Sequence, residues 1–218
     1  MTTYHKIHGI FKRHLEGEKK GRFIIGQYSR PEFEMLKDII WEWTEKIDGT
    51  NIRVIWDGND ITFKGKSDRA ELPKHLEEKL NKLFYNEETI ELFKDFFGDN
   101  EVCLYGEGYG YKIQKGCKYF EGEKKVGFIL FDIKIGNTWL KRKDVIMIGT
   151  EFGIRTVPIV GEGTVWESIE FVKTEPKSTF GKQDFVMEGV VIRPKVELLD
   201  RNSHRIITKI KVKDFKED

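Results

Sequence analysis

Two short runs rich in β-branched and aromatic residues, 51–56 and 61–64, are joined by only Asp57-Gly58-Asn59-Asp60. Strands linked by so short a turn can pair only antiparallel, because a parallel return needs a crossover of a dozen or more residues. This hairpin rules out a purely parallel βαβ series and constrains everything around it. Further strand-like segments lie at 101–105, 126–135, 186–193 and 206–212. Helical spacing marks 73–97, where Leu76, Leu80, Leu83 and Phe84 precede Ile90, Leu92, Phe93, Phe96 and Phe97. That stretch reads as two helices broken near Tyr85-Asn86 and closed by Gly98. A helix is also expected over 32–40, entered through Ser29-Arg30-Pro31, with weaker patterns at 143–152 and 165–172. The expectation is an α+β fold with mainly antiparallel sheets and flanking helices.

Composition supports a packed core, since aromatic residues make up 13% of the 218 and include 16 Phe. No repeat, low-complexity tract or Pro/Ser-rich linker interrupts the chain, so residues 1–218 read as a single domain. Charged residues reach 34%, yet the two signs nearly cancel to a formal charge of +1. Any phosphate-binding surface must therefore be local. One modest basic cluster, Lys12-Arg13-His14 with Lys19-Lys20-Gly21-Arg22, suits a nucleic-acid backbone as well as an ordinary surface loop. Cys103 and Cys117 have neither paired-cysteine nor Cys/His metal spacing, which points to reduced thiols and a cytoplasmic setting. The five histidines show no ligand grouping. Neither a secretory signal nor a membrane-length apolar run is visible. P-loop and dinucleotide fingerprints are absent, and Gly106-Glu107-Gly108-Tyr109-Gly110 opens no helix.

The most informative segment is Glu45-Lys46-Ile47-Asp48-Gly49-Thr50-Asn51, directly before a strand. It sets an amine beside a Gly backbone able to approach a ligand closely. By itself Lys-x-Asp-Gly is also an ordinary turn. It is followed in order by Tyr105-Gly106-Glu107-Gly108, Phe128-Ile129-Leu130-Phe131-Asp132, Glu188-Gly189-Val190-Val191-Ile192 and Lys209-Ile210-Lys211. This ordered series resembles that of the covalent nucleotidyltransferases: DNA ligases, RNA ligases and mRNA capping enzymes. Within them Glu-Lys-x-Asp-Gly-Thr-Asn and Ile113-Gln114-Lys115-Gly116 resemble the RNA ligase 2-like group of phage and viral enzymes.

The resemblance implies a nucleotidyltransferase (ATP-grasp-like ligase) domain and a three-step reaction. Lys46 attacks the α-phosphate of ATP, AMP passes to a 5′-phosphate, and a 3′-hydroxyl displaces it, which splits one hard transfer into easier ones. A lysine nucleophile must be neutral, against a reference pKa of about 10.4, while nearby carboxylates favour the charged form. The resemblance assigns Asp48, Glu107 and Glu188 to a Mg2+ or Mn2+ site that would offset this tension. Asp48 as a simple turn cap, and Glu107 as a ribose partner, are the alternatives. Lys209 and Lys211 stand two apart on a strand and so share a face. They suit the α-phosphate, or else a solvated edge strand. Phe131 resembles the aromatic that stacks on adenine, with Phe128 as its competitor. Glu45 is expected at the adenine amino group, Asn51 near phosphates, and Lys66 as the basic residue one hairpin beyond the nucleophile, with Arg69 its neighbour.

Many ligases carry a further domain after the last lysine motif, whereas only seven residues follow Lys211 here (218 − 211 = 7). The expectation is a one-domain monomer without a separate C-terminal domain, working in the cytoplasm (of a host, if viral). RNA held as a nicked duplex is the expected partner and no membrane is. A small DNA ligase, a capping guanylyltransferase and a non-catalytic nucleotide- or RNA-binding module are the competing readings.

Overall fold

The computed structural model describes residues 3–114, 119–120, 124–181 and 184–215. Its first strands are β1 His8–Gly9, β2 Phe11–Arg13, β3 Phe23–Tyr28, β4 Trp41–Glu45, β5 Thr50–Trp56 and β6 Ile61–Lys64. They continue as β7 Val102–Gly110, β8 Val126–Ile135, β9 Thr138–Trp139, β10 Ile159–Gly163, β11 Gly189–Pro194 and β12 Thr208–Lys211. The helices are α1 Pro31–Met35, α2 Lys74–Phe84, α3 Glu87–Phe97, α4 Arg142–Glu151 and α5 Val165–Lys173. The mixed α+β class with antiparallel sheets is the one expected; the exceptions among the described strands are few, chiefly the parallel β1–β12 pair. No helix among the described residues is long and apolar enough to cross a membrane.

Contacts divide the chain into two compact units. Unit 1 comprises Met1–His5, Asp48–Val157 and Gly181–Gln183. Its sheet runs β6-β5-β7-β8-β9, all antiparallel. The expected hairpin forms, with Gly58 at φ +100° and Asp57 Oδ1 accepting from the Asn59 and Asp60 amides. The helix pair also forms where the spacing placed it. Leu76, Leu80 and Phe84 recur at i+4 on α2, and Phe93 and Phe97 on α3, so each helix turns one apolar stripe onto the sheet. Burying each such side chain stabilises the fold by about 1.5–3 kcal/mol. Asn86 caps α3 by accepting from the Thr89 amide at 2.9 Å, which is why the break falls there.

Unit 2 comprises Lys6–Ile47, Pro158–Phe180 and Asp184–Asp218. Its main sheet runs β1-β12-β11-β4-β10, beside the β2-β3 pair. Trp41 and Trp43 point from β4 into a core shared with Val165, Ile169, Val190, Ile192 and Ile210. Thr164 and Glu167 form a reciprocal capping box that starts α5. The helix expected over 32–40 stops at Met35. The Leu36 carbonyl accepts from the Trp41 indole at 2.8 Å and the Lys37 carbonyl from the Val165 amide at 3.0 Å, so tertiary partners replace further helical bonds.

Candidate functional site

In unit 2 the Lys46 amide donates to the Gly189 carbonyl at 2.9 Å, which continues the β4–β11 pairing one residue past Glu45. Gly189 has φ +150°, and a Cβ there would lie 2.1 Å from the Ile210 carbonyl oxygen. Only glycine lets β11 begin this close to β12. The approach sets Glu188 beside Lys211, and the Glu188 carbonyl accepts from the Val212 amide at 3.0 Å. Lys46 Nζ donates to Glu188 Oε2 at 2.6 Å, and Lys211 Nζ donates to Oε1 at 2.5 Å. All three side chains are about four-fifths buried. Burial pushes the Glu188 carboxyl up, but the Lys46 charge and the hydrogen bonds from both lysines outweigh it and hold the group below its ordinary range. Lys209 alternates with buried Thr208 and Ile210, so it shares the strand face of Lys211.

Glu45 behaves differently. On β4 it stands two residues after Trp43 and four after Trp41, so it points toward the same apolar side and is 1% exposed. Its carboxylate accepts from Ser178 Oγ at 2.5 Å and from the Thr179 amide and hydroxyl, each at 2.9 Å. The resemblance implies a place for Glu45 at the adenine; in this structure its carboxylate oxygens are held by the 178–179 segment. Nothing in the spacing of Ser178 and Thr179 signals that partnership.

In unit 1 the Asp48 amide donates to Tyr119 Oη at 2.7 Å, and Gln114 Nε2 donates to the Gly49 carbonyl at 3.0 Å. A Cβ on Gly49 would meet the Gly108 carbonyl oxygen at 2.2 Å and Glu107 Cγ at 2.8 Å. The Asp-Gly step is therefore a close backbone passage against β7. Lys115, Gly116 and Cys117 lie outside the described residues. Gly106 and Gly108 flank Glu107 for a packing reason: Phe128 and Leu76 fill the space their side chains would need. The alternation leaves Glu107 on the opposite face, directly across from Asn51. Asn51 Oδ1 is buried and has no hydrogen-bond partner among the described residues, an orphaned acceptor of the kind a ligand satisfies.

Phe128 is 4% exposed within the core, which removes it as the competing aromatic. Phe131 falls at the register shift between β7 and β8, on the other face, half-buried. Tyr4 packs edge-on against it, centroids 5.1 Å apart, while donating to Asp132 Oδ2 at 2.5 Å. Tyr4 and Tyr119 escaped sequence reading, since a lone tyrosine carries no spacing signal. Lys66 and Arg69 are exposed in the loop after β6. Cys103 is buried, and burial pushes its thiol up to about 12, which leaves it inert.

Asp48 and Glu107 belong to unit 1 and Glu188 to unit 2. Among the described residues, no three His, Cys, Asp or Glu side chains group closely enough to hold a metal. Within unit 1, Asp48 and Glu107 supply carboxylate oxygens of the kind a hard cation such as Mg2+ takes, one or two of them sufficing beside phosphate and water. Asn51 and Glu107 face each other across β5 and β7.

The RNA ligase family model matches residues 39–211. Solved structures of Naegleria gruberi RNA ligase variants share the fold. One, with ATP and Mn, superposes with TM-score 0.65 at 18% identity, covering 97% of this chain and 56% of that one. An apo form gives 0.60 at 18% identity over 83% and 51%, and a form with AMP and Mn 0.60 at 20% over 83% and 52%. The chain thus spans about half the length of the solved structures it matches. The comparison with curated proteins found no match. Sheets, ordered motifs and neighbours together define a ligase-type nucleotidyltransferase fold. The chain belongs to the RNA ligase family.

Proposed function

We propose that the protein is an ATP-dependent RNA ligase that adenylylates itself on Lys46. The observation that carries this reading is the shared carboxylate: Glu188 holds Lys46 and Lys211 on its two oxygens. A carboxylate bridging two ammonium groups fixes both nitrogens in place, and an incoming phosphate competes for the same partners. In the first step Lys46 Nζ, having given up a proton to solvent, forms a bond to the α-phosphorus of ATP. The bond from that phosphorus to the bridging oxygen breaks, and pyrophosphate leaves. Lys211, with Lys209 on the same face, neutralises the charge that builds on the α-phosphate. Asn51 and Lys66 bind phosphate oxygens, Phe131 stacks on the base, and Glu107 binds the ribose or a cation. A divalent cation such as Mg2+ or Mn2+, held by Asp48, Glu107 or Glu188 with phosphate oxygens, supplies further charge neutralisation. Solved Naegleria gruberi RNA ligase structures that contain ATP or AMP together with Mn support ATP as the nucleotide and a divalent cation as its companion. The AMP then moves to an RNA 5′-phosphate and is displaced by a 3′-hydroxyl. A nicked duplex is the favoured substrate, because it already holds both ends together and spares the entropy of joining free strands.

Incubation with α-labelled ATP and Mg2+ or Mn2+ should give a covalent protein–AMP adduct mapping to Lys46 by peptide mass spectrometry. Labelling by GTP in place of ATP would overturn this reading in favour of capping chemistry. Sealing of a nicked RNA duplex should outpace joining of the same strands without their splint. The reverse order would make the protein an end-joining enzyme.

A further inference from the structure

Arg53 stands in the middle of β5 with no exposed surface, paired with Tyr105 on β7 and Lys64 on β6. Burying a guanidinium there is costly, and an apolar side chain of similar volume is often as good or better for stability. The fold by itself therefore gives no reason for an arginine. The reason lies in the loop that follows β6. Arg53 Nε donates to the Gly65 carbonyl at 3.0 Å, and Nη2 donates to Asp68 Oδ1 at 2.6 Å. One rigid fork thus grips the chain at two points three residues apart, which a lysine cannot do.

Other contacts close the same loop. The Ala70 amide donates to the Ser67 carbonyl at 3.1 Å, and a Cβ on Gly65 would lie 2.9 Å from the Ala70 Cβ. Between these anchors Lys66, Ser67, Asp68 and Arg69 are all exposed. Asp68 is the only acidic residue of the 65–70 segment. Its side chain is 73% exposed, yet it is turned onto a cation that is wholly buried. The hydrogen bond from Arg53, then its charge, holds the Asp68 carboxyl below its ordinary range. The exposed part of the loop is left with two cations, Lys66 and Arg69, and an anion already spoken for. Such a loop attracts phosphate, and its backbone geometry is set from beneath by Arg53.

We propose that Arg53 is a positioning residue, which through Gly65 and Asp68 holds the loop that presents Lys66 to the nucleotide phosphates. The assignment of Lys66 to phosphate rests on the ligase reading above; the clasp itself does not. Asp68→Ala is the decisive variant, because it releases one arm of the fork by a substitution at an exposed position. Two measurements separate the claims. Amide hydrogen exchange over 64–72 should quicken in Asp68→Ala while the rest of unit 1 exchanges as in wild type. The ATP concentration for half-maximal adenylylation should rise severalfold, with the maximal rate nearly kept. That rise should vanish in a Lys66→Ala background, since the clasp then has nothing to position. Arg53→Lys, which keeps the charge and loses the fork, should reproduce the Asp68→Ala pattern if it folds. Unchanged exchange in Asp68→Ala overturns the clasp. Faster exchange with an unchanged ATP requirement, or an equal effect with and without Lys66, overturns the link to Lys66. If wild type forms no adduct, the ligase reading falls, and the exchange data alone still decide the clasp.

Discussion

Two glutamates of the same sheet, Glu45 at the end of β4 and Glu188 before β11, are satisfied in opposite ways. Glu45 is sealed in and held by neutral donors, the hydroxyls of Ser178 and Thr179 and one backbone amide. Glu188 keeps some access to solvent and is held by two ammonium groups. Neutral, buried donors cannot easily be exchanged, because leaving them unpaired forfeits their desolvation cost. Ammonium groups near the surface can trade a carboxylate for a phosphate at little net cost. The first arrangement anchors a segment and the second prepares for a charged substrate. Burial and donor type, not the residue itself, decide which.

Five experiments test that contrast and the site around it. The largest effect is expected from Lys46→Ala, which removes the nucleophile from the Glu188 cluster. Peptide mass spectrometry should find no AMP adduct, while circular dichroism shows an intact fold. A fully labelled variant would dismiss Lys46 from the chemistry.

Glu188→Ala leaves two cations facing one another without their shared partner. Adduct formation should slow by about 10²-fold, the scale of losing one preorganised electrostatic group. Stability should fall by only ~1–3 kcal/mol, that of charge-assisted hydrogen bonds near the surface. Glu45→Ala should show the converse balance: a loss in denaturant unfolding of about 1–3 kcal/mol for each of the three buried donors left unpaired. Its folded fraction should still label. If Glu45→Ala folds as wild type but fails to bind ATP, Glu45 belongs at the adenine after all.

Smaller changes are expected on the unit 1 sheet. Phe131→Ala should raise the ATP requirement severalfold, and Phe131→Tyr should restore it, because the ring face is kept. Identical half-saturating ATP in all three proteins would pass the stacking role to another aromatic.

The smallest effect is in pH. The folded Glu188 carboxyl lies below its ordinary value, which is about 4.3 in the unfolded chain. Its contribution to stability is therefore fully present above that value and lost as pH falls through the lowered folded value. The stability gap between wild type and Glu188→Gln should stay constant from pH 7 to about 5 and close in more acidic solution. A gap that persists unchanged at pH 3 would show that the two lysines do not hold this carboxylate charged.

Much of the architecture follows from local chemistry that the sequence displays. Asp57-Gly58-Asn59-Asp60 specifies its hairpin, the i+4 apolar stripes specify α2 and α3, and Asn86 marks their break, because each depends on neighbours within a turn or two. The ordered motifs likewise identified the family, since Lys46, Glu107, Glu188 and Lys211 are chemically distinctive at their spacings. The tertiary structure decided what those residues touch. Short strands such as β9 and β10 show little pattern of their own and form because other strands pair with them. The helix after Pro31 ends early because Trp41 and Val165, distant from its start, take its carbonyls. Glu45 and Glu188 are the same residue in the sequence, and only long-range packing gives one two hydroxyls and the other two lysines. Arg53 reads as one more charge in a strand until the fold buries it beneath the 65–70 loop. Hydrogen-bond and charge partners are chosen by three-dimensional proximity, and proximity between residues 46, 188 and 211 is a property that no local pattern encodes.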